Sequence, residues 1–209
     1  MRFRRAEAAL LLVDLQRGFL HPDGFVAAQG RDVSACDAAA RRCYALARAA
    51  RAVGMPVIWT RHILRADLAD GGLLTTEIRP RLGQIKALAR GSADVEIPPE
   101  AGVEPADFVI DKPRNSAFFG TPLDVVLAAR GIRSLMVGGV TTSMCVECSV
   151  RDAAQRDIRT FVVRDAVADF DTDRHAAALA AMEFGFARII GANQAADAIS
   201  AGEAVFPIA

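Results

Sequence analysis

Short, fully apolar runs alternate with longer amphipathic stretches along this chain, and that rhythm predicts strands alternating with helices. Ala8-Ala9-Leu10-Leu11-Leu12-Val13 is apolar at every position, as in a strand covered on both faces, and it stops at Asp14-Leu15-Gln16. After the Pro/Gly loop His21-Pro22-Asp23-Gly24, Ser34 or Asp37 caps a long Ala/Arg-rich helix that runs to about Val53 and ends at Gly54. A second strand, Met55 to Thr60, halts at Arg61-His62. Regularity fades from Leu64 to Pro105, a stretch long enough to suggest function or mobility rather than mere connection. The third strand is Asp107 to Asp111, ending at Lys112-Pro113, and Thr121-Pro122 opens a helix that closes at Gly131. Leu135-Met136-Val137 forms the next strand and breaks at Gly138-Gly139. Beyond the small polar loop Val140 to Ser143, Cys145 stands at the start of a helix reaching Arg156. Ile158 to Val163 is a further strand ending at Arg164-Asp165. Thr172 or Asp173 then caps a helix to about Phe184, Phe186 to Ile190 is a last short strand, and Asn193 to about Ser200 a last helix.

This alternation predicts a three-layer αβα sandwich around a mostly parallel sheet of about six strands, in one domain spanning residues 1–209. Open sheets of this kind bind ligands beyond the carboxyl ends of their strands. Asp14, Lys112 and Cys145 each stand just after such an end, on three different strands. A thiol at a helix N-terminus meets free N–H groups and partial positive charge, which favour the nucleophilic thiolate. Cys145 reads equally as a small buried residue capping a strand-to-helix turn, Asp14 as a strand-end cap and Lys112 as its surface ion partner.

Composition removes several function classes. The 209 residues are 52% hydrophobic, enough for one sizeable α/β core. The 25 basic and 25 acidic residues cancel and form no long run, which argues against nucleic-acid or anionic-membrane partners. No apolar run approaches the roughly 18–20 residues of a spanning helix. The start, MRFRRAEAALLLVD, has only Ala8 to Val13 as its apolar part and ends in an acid, so it reads as a first strand rather than a leader. Cys36, Cys43, Cys145 and Cys148 show no disulfide spacing, with the first two placed as core residues, and a reducing cytoplasmic compartment is expected.

Four blocks then resemble the isochorismatase-like cysteine hydrolase superfamily, in family order and over essentially the whole chain. They are Leu12-Val13-Asp14-Leu15-Gln16-Arg17-Gly18-Phe19, Asp111-Lys112-Pro113 with Ser116 to Thr121, Gly139 to Glu147, and Arg151-Asp152-Ala153. The resemblance implies a catalytic triad of Asp14, Lys112 and Cys145 and a cis peptide between Val140 and Thr141. Members that cleave a vinyl ether typically lack the cysteine that this chain keeps, which favours amide or ureide hydrolysis. Nicotinamidases carry a metal site with an Asp-x-His pattern after the second strand, whereas Trp59 to Arg65 has no such pair; no metal and no cofactor are expected. Arg65 to Asp70 and Ser116 to Phe119 resemble members acting on carbamoyl or ureido compounds such as biuret, ureidoacrylate or N-carbamoylsarcosine.

The implied chemistry is attack by Cys145 on a carbonyl carbon, with Asp14 moving protons, Lys112 cationic between them, and the N–H groups of Thr141 and Cys145 as oxyanion hole. Phe19, Arg65, Asn115, Phe119 and Val140 are the expected substrate contacts. Phe19, Phe118 and Phe119 read equally as core, and Arg61, Arg65 and Arg114 either fork onto a substrate carboxylate or lie solvated. His62 is expected to be a hydrogen-bonded structural residue and His175 exposed. Cys148 is expected to face the core, and Asp165 to support the site from behind. The expected partner is a small amide or ureide, and the chain is expected to form a homo-oligomer, dimer or tetramer. An ether hydrolase and a non-catalytic binding relative are the alternatives.

Overall fold

The computed structural model describes residues 1–207. In chain order the elements are β1 (Arg2–Arg4), β2 (Ala8–Val13), α1 (Arg17–Leu20), α2 (Ser34–Ala52), β3 (Val57–His62), α3 (Pro80–Gln84), β4 (Phe108–Lys112), α4 (Leu123–Ala129), β5 (Ser134–Val140), α5 (Glu147–Ala154), β6 (Arg159–Ala168), α6 (Thr172–Gly185), β7 (Arg188–Ile190), α7 (Ala192–Ala201) and β8 (Glu203–Val205). Six strands form one sheet in the order β4-β3-β2-β5-β6-β7, every pair parallel. The sequence did not announce β1 and β8, two three-residue strands that pair antiparallel and tie the chain's ends together.

Alternation along the central strands divides the core in two. Leu10, Leu12, Trp59 and Met136 point to one face, where α2 and α7 cover them. Leu11, Val13, Ile58, Leu135 and Val137 point to the other, against α4, α5 and α6. Both faces of β2 and β5 are therefore buried throughout, as continuous apolar runs require. A third, smaller cluster joins Phe25, Val26 and Val33 to Leu64, Leu82 and Leu88. It turns the irregular stretch after β3 into a wall above the carboxyl edge of the sheet.

Two expectations at helix starts change. Ser34 is the first residue of α2, and the Asp32 carboxylate accepts from its N–H at 2.8 Å, while Asp37 pairs with Arg41 one turn on. Asp171, not Thr172 or Asp173, caps α6 by accepting from the Arg174 N–H at 2.9 Å.

The expected break at Gly138-Gly139 is also corrected, because both glycines lie inside β5. A Cβ on Gly138 would come 2.7 Å from Cys43 Sγ, and one on Gly139 would come 2.2 Å from the Val13 carbonyl oxygen. Gly139 also has φ +126°, a region closed to other residues. These glycines let β5 lie against β2 at its very end, with Val13 opposite Gly139, and so place the following loop beside Asp14. Gly139→Ala is expected to cost at least ~3 kcal/mol through combined backbone strain and overlap; the midpoint of urea unfolding measures it.

Candidate active site

β2 ends in a residue with unusual backbone. Asp14 has φ +52°, in the left-handed region that Asp tolerates better than most residues. Its N–H bonds the Thr60 carbonyl at 3.2 Å, and its Oδ1 accepts from Thr60 Oγ1 at 2.7 Å. Gln16, wholly buried, ties this strand end to the next: its Oε1 accepts from the His62 N–H at 2.7 Å, and its Nε2 donates to the carbonyls of His62 and Val95, each at 3.1 Å. β4 brings Lys112 in register with His62.

Lys112 and Asp14 are both 0% exposed. The ammonium lies 2.8 Å from Asp14 Oδ2, donates to the Arg114 carbonyl at 2.9 Å, and lies 3.4 Å from Cys145 Sγ. Burial works against this charge, but Asp14 and Cys145 outweigh it and hold the lysine above its ordinary pKa. For Cys145 the balance goes the other way. Burial pushes its thiol up, Lys112 pulls it back, and the neighbouring Asp14 carboxylate raises it further. Cys145 also departs from the expected helix start. It sits inside a π-helical turn, Thr142–Val146, that leads into α5. Burial outweighs the Lys112 charge at this thiol, so its surroundings hold it above the ordinary value and do not favour a preformed thiolate.

The π turn is held from several sides. Asp169 accepts from the Ser143 N–H at 3.0 Å and its hydroxyl at 2.6 Å, and pairs with Arg174 at 3.0 Å. Thr142 Oγ1 shares a hydrogen bond of 2.8 Å with His175 Nδ1, so that histidine is half-buried rather than exposed. Ser149 donates to the Cys145 carbonyl at 2.6 Å and accepts from the Ala117 N–H at 2.9 Å, docking the Ser116 to Phe119 block onto α5. Asp165 does not support the site; it accepts from the Ala192 N–H at 2.8 Å at the start of α7. β6 runs past the expected end to Ala168, with a register irregularity opposite Val137–Gly139, so the carboxylate at its true end is Asp169.

A cavity of about 360 Å³ opens above Cys145. Asn115, Thr141 and His62 line its base with Cys145, and Phe19, Phe25, Leu74, Leu82, Leu88 and Phe170 form its apolar walls. Asn115 Oδ1 lies 3.9 Å from Cys145 Sγ. The peptide between Val140 and Thr141 is cis. Asp14, Lys112, Cys145, Thr141, Asn115 and Phe19 are thus brought together, and the remaining expected contacts are not. Arg65 is exposed and bidentate on Asp67, and Phe119 is 62% exposed. Val140 is buried in the core beneath α2 and does not line the cavity. Arg61 pairs with Asp111 and Glu96, and Arg114 donates to the Asp70 and Pro113 carbonyls. The arginines on the cavity are instead Arg31, Arg79 and Arg174. Cys148 is only half-buried, whereas Cys36 and Cys43 lie in the core.

An Asp14 carboxylate oxygen, a His62 ring nitrogen and Cys145 Sγ lie within 4.8 Å of one another, close enough to share a metal ion. Lys112 already supplies the positive charge to two of these three groups, so a cation would have to displace it. Burial, and then the Lys112 charge, pushes the His62 imidazole down to about 3. An unfolded histidine titrates near 6.5. Below that pH the unfolded chain binds a proton that the folded chain refuses. Stability is therefore complete above about pH 6.5 and falls by up to ~1.4 kcal/mol per unit as the pH drops toward 3. His62→Gln is expected to remove that part of the slope in urea titrations at pH 7, 6 and 5.

Among known proteins, residues 8–194 match the isochorismatase domain. The ureidoacrylate amidohydrolase RutB of Methylorubrum extorquens is 36% identical over 169 residues, covering 75% of this chain and 68% of that protein. A cysteine hydrolase from Pseudomonas syringae pv. phaseolicola superposes with a TM-score of 0.88 at 28% identity, covering 96% of this chain and 95% of the other. N-carbamoylsarcosine amidase from Thermoplasma acidophilum shares the fold, with a TM-score of 0.70 at 23% identity over 90% and 97% of the two chains. With the parallel sheet and the Asp14–Lys112–Cys145 cluster at its carboxyl edge, the domain match and the 36% identical ureidoacrylate amidohydrolase place the chain in the isochorismatase family, in its amidohydrolase branch.

Proposed function

We propose that this hydrolase of C–N bonds works through a covalent enzyme formed on Cys145 and releases ammonia from a small primary amide or ureide. The observation that carries this reading is the buried contact of one acid, one ammonium and one thiol at the base of a cavity. Sγ bonds to the carbonyl carbon while its proton passes to Asp14. Lys112, already in contact with both groups, stabilises the sulfur as its proton leaves and holds Asp14 in place. The carbonyl oxygen becomes an oxyanion facing the N–H groups of Thr141 and Cys145, an arrangement often worth ~3–4 kcal/mol. When the intermediate collapses, the C–N bond breaks and Asp14 returns its proton to the departing nitrogen. Water then adds to the acyl or carbamoyl carbon as Asp14 takes a proton from it, and when the C–S bond breaks Asp14 gives that proton to the sulfur, which restores both thiol and carboxylate.

The apolar walls favour a substrate with an apolar or unsaturated body. Arg31 and Arg79, which among the described residues meet no carboxylate within 4.0 Å, suit an anionic end. Ureidoacrylate, the substrate in the name of the Methylorubrum relative, has both features. The test is ammonia release from ureidoacrylate, N-carbamoylsarcosine, biuret and nicotinamide by wild type and Cys145→Ala in parallel. Release by wild type alone supports the reading, and equal release by both proteins overturns it.

A further inference from the structure

The long segment after β3 builds one wall of the cavity and carries Leu74, Arg79 and Leu82 to it. Its neck is closed by two backbone hydrogen bonds, from the Leu64 N–H to the Leu88 carbonyl at 2.8 Å and from the Arg90 N–H to the Leu64 carbonyl at 2.9 Å. Beyond the neck the segment is folded on itself. A π-helical turn, Leu74–Ile78, leads into α3. Gly71 and Gly83 both lie against Thr75, where a Cβ would come 2.2 Å from its Oγ1 and 2.7 Å from its carbonyl oxygen respectively.

The body of the protein has little directional hold on this wall. Leu74 and Leu82 pack with Phe25, Val26 and Val33, but apolar contact is non-directional. Among the described residues, the hydrogen bonds and ion pairs of residues 65–87 stay within the segment and its neck, with one exception. The exception is the Arg114 guanidinium, whose Nη1 donates to the Asp70 carbonyl at 2.8 Å. Its Nη2 stands beside Gly72, where φ is +56° and a Cβ would come 3.2 Å from that nitrogen. Arg114 also faces the other way. Its carbonyl accepts from the Lys112 ammonium at 2.9 Å, and the next residue, Asn115, lies 3.9 Å from Cys145 Sγ. The stretch from Lys112 to Asn115 thus joins the reactive cluster, the base of the cavity and its wall.

We propose, resting on the amide-hydrolase reading above, that Arg114 is a positioning residue: it latches the 65–87 wall to the reactive cluster and so sets where Arg79 and Leu74 meet the substrate. Its two links are separable. Removing the guanidinium keeps the backbone carbonyl that holds Lys112, but frees Asp70 and the wall beyond it. The latch acts on the body of the substrate rather than on the bond that breaks, so its loss falls on KM more than on kcat.

The test is Arg114→Met, which keeps the aliphatic stem and removes every donor, beside Arg114→Lys, which keeps a charged donor. On the best-cleaved compound of the panel, Arg114→Met is expected to raise KM roughly tenfold while kcat falls less than about threefold, and Arg114→Lys to recover part of the KM. With no substrate present, the backbone amides of residues 72–82 are expected to exchange hydrogen about tenfold faster in Arg114→Met, while those of β5 keep their wild-type rates. A loss confined to kcat, or wild-type exchange in residues 72–82, overturns the proposal. Equal acceleration in β5 also overturns it, because the arginine then supports the whole fold and not the wall. Should Arg114→Met not fold, Gly72→Val takes its place: a branched side chain at that φ and that distance displaces the guanidinium with Arg114 retained, and the same readouts and outcomes apply. If no compound of the panel is cleaved, the amide reading falls and the exchange comparison alone judges the latch.

Discussion

Cys145→Ala is expected to lower kcat by about 10⁴-fold or more while leaving a folded protein. Only one sulfur atom is removed from the π turn. Its backbone supports, the Asp169 contacts with Ser143 and the Ser149 bond to the Cys145 carbonyl, do not involve the thiol. The loss of stability should therefore stay within ~2 kcal/mol. Acid quenching of wild type during turnover, followed by intact-mass measurement, should reveal the acyl or carbamoyl adduct, and the alanine variant should show none. Substantial steady-state activity in that variant would end the nucleophile assignment.

The second large effect concerns the Asp14–Lys112 pair, in which both side chains are wholly buried. Lys112→Met leaves a carboxylate in the core without its cation, and Asp14→Asn leaves an ammonium without its anion. Each single change is expected to cost ~3–5 kcal/mol. Asp14→Asn keeps the backbone satisfied, because Asn also tolerates the φ of +52° found there. The double variant Asp14→Asn/Lys112→Met removes both charges together and should unfold within ~2 kcal/mol of wild type, well short of the two single losses added. Urea midpoints at unchanged slope measure the cycle. All three proteins should be inactive under the proposed mechanism, in which the pair supplies the acid–base step and the charge beside the sulfur. Strictly additive stabilities would mean that the two groups do not depend on each other for burial.

The pair also separates what was legible from what was not. Asp14, Lys112 and Cys145 could be placed on one edge of one sheet because each stands at or beyond the end of an apolar run that reads as a strand, β2 and β5 covered on both faces and β4 a half-covered edge. The supports around them were less visible. Asp165 looked like the strand-end carboxylate because β6 seemed to stop at Val163. The strand instead continues through a register irregularity to Ala168 and delivers Asp169. Gly138-Gly139 looked like a break because paired glycines usually mark turns. The close approach of Val13 and Cys43 is what requires them inside the strand. Arg65 and Phe119 were chosen by position in a motif, yet their side chains leave the site, whereas Arg31 and Arg79 reach the cavity from segments with no local pattern at all.

The sequence by itself determined the layers, the parallel sheet and the placement of Asp14, Lys112 and Cys145 on one edge, since two-sided burial and strand-end placement are local properties of a pattern. The tertiary structure alone decided that the Cys145 thiol is raised above its ordinary pKa, because the burial that causes this depends on residues far away in the chain. It also decided which loops build the cavity, because the Phe25–Leu88 wall is made by packing two irregular segments against each other. Finally, it buried His62 beside Asp14 and Cys145 and left its Nε2 without a hydrogen-bond partner. That is a property of the neighbours' hydrogen-bond partners, not of the histidine's own place in the sequence.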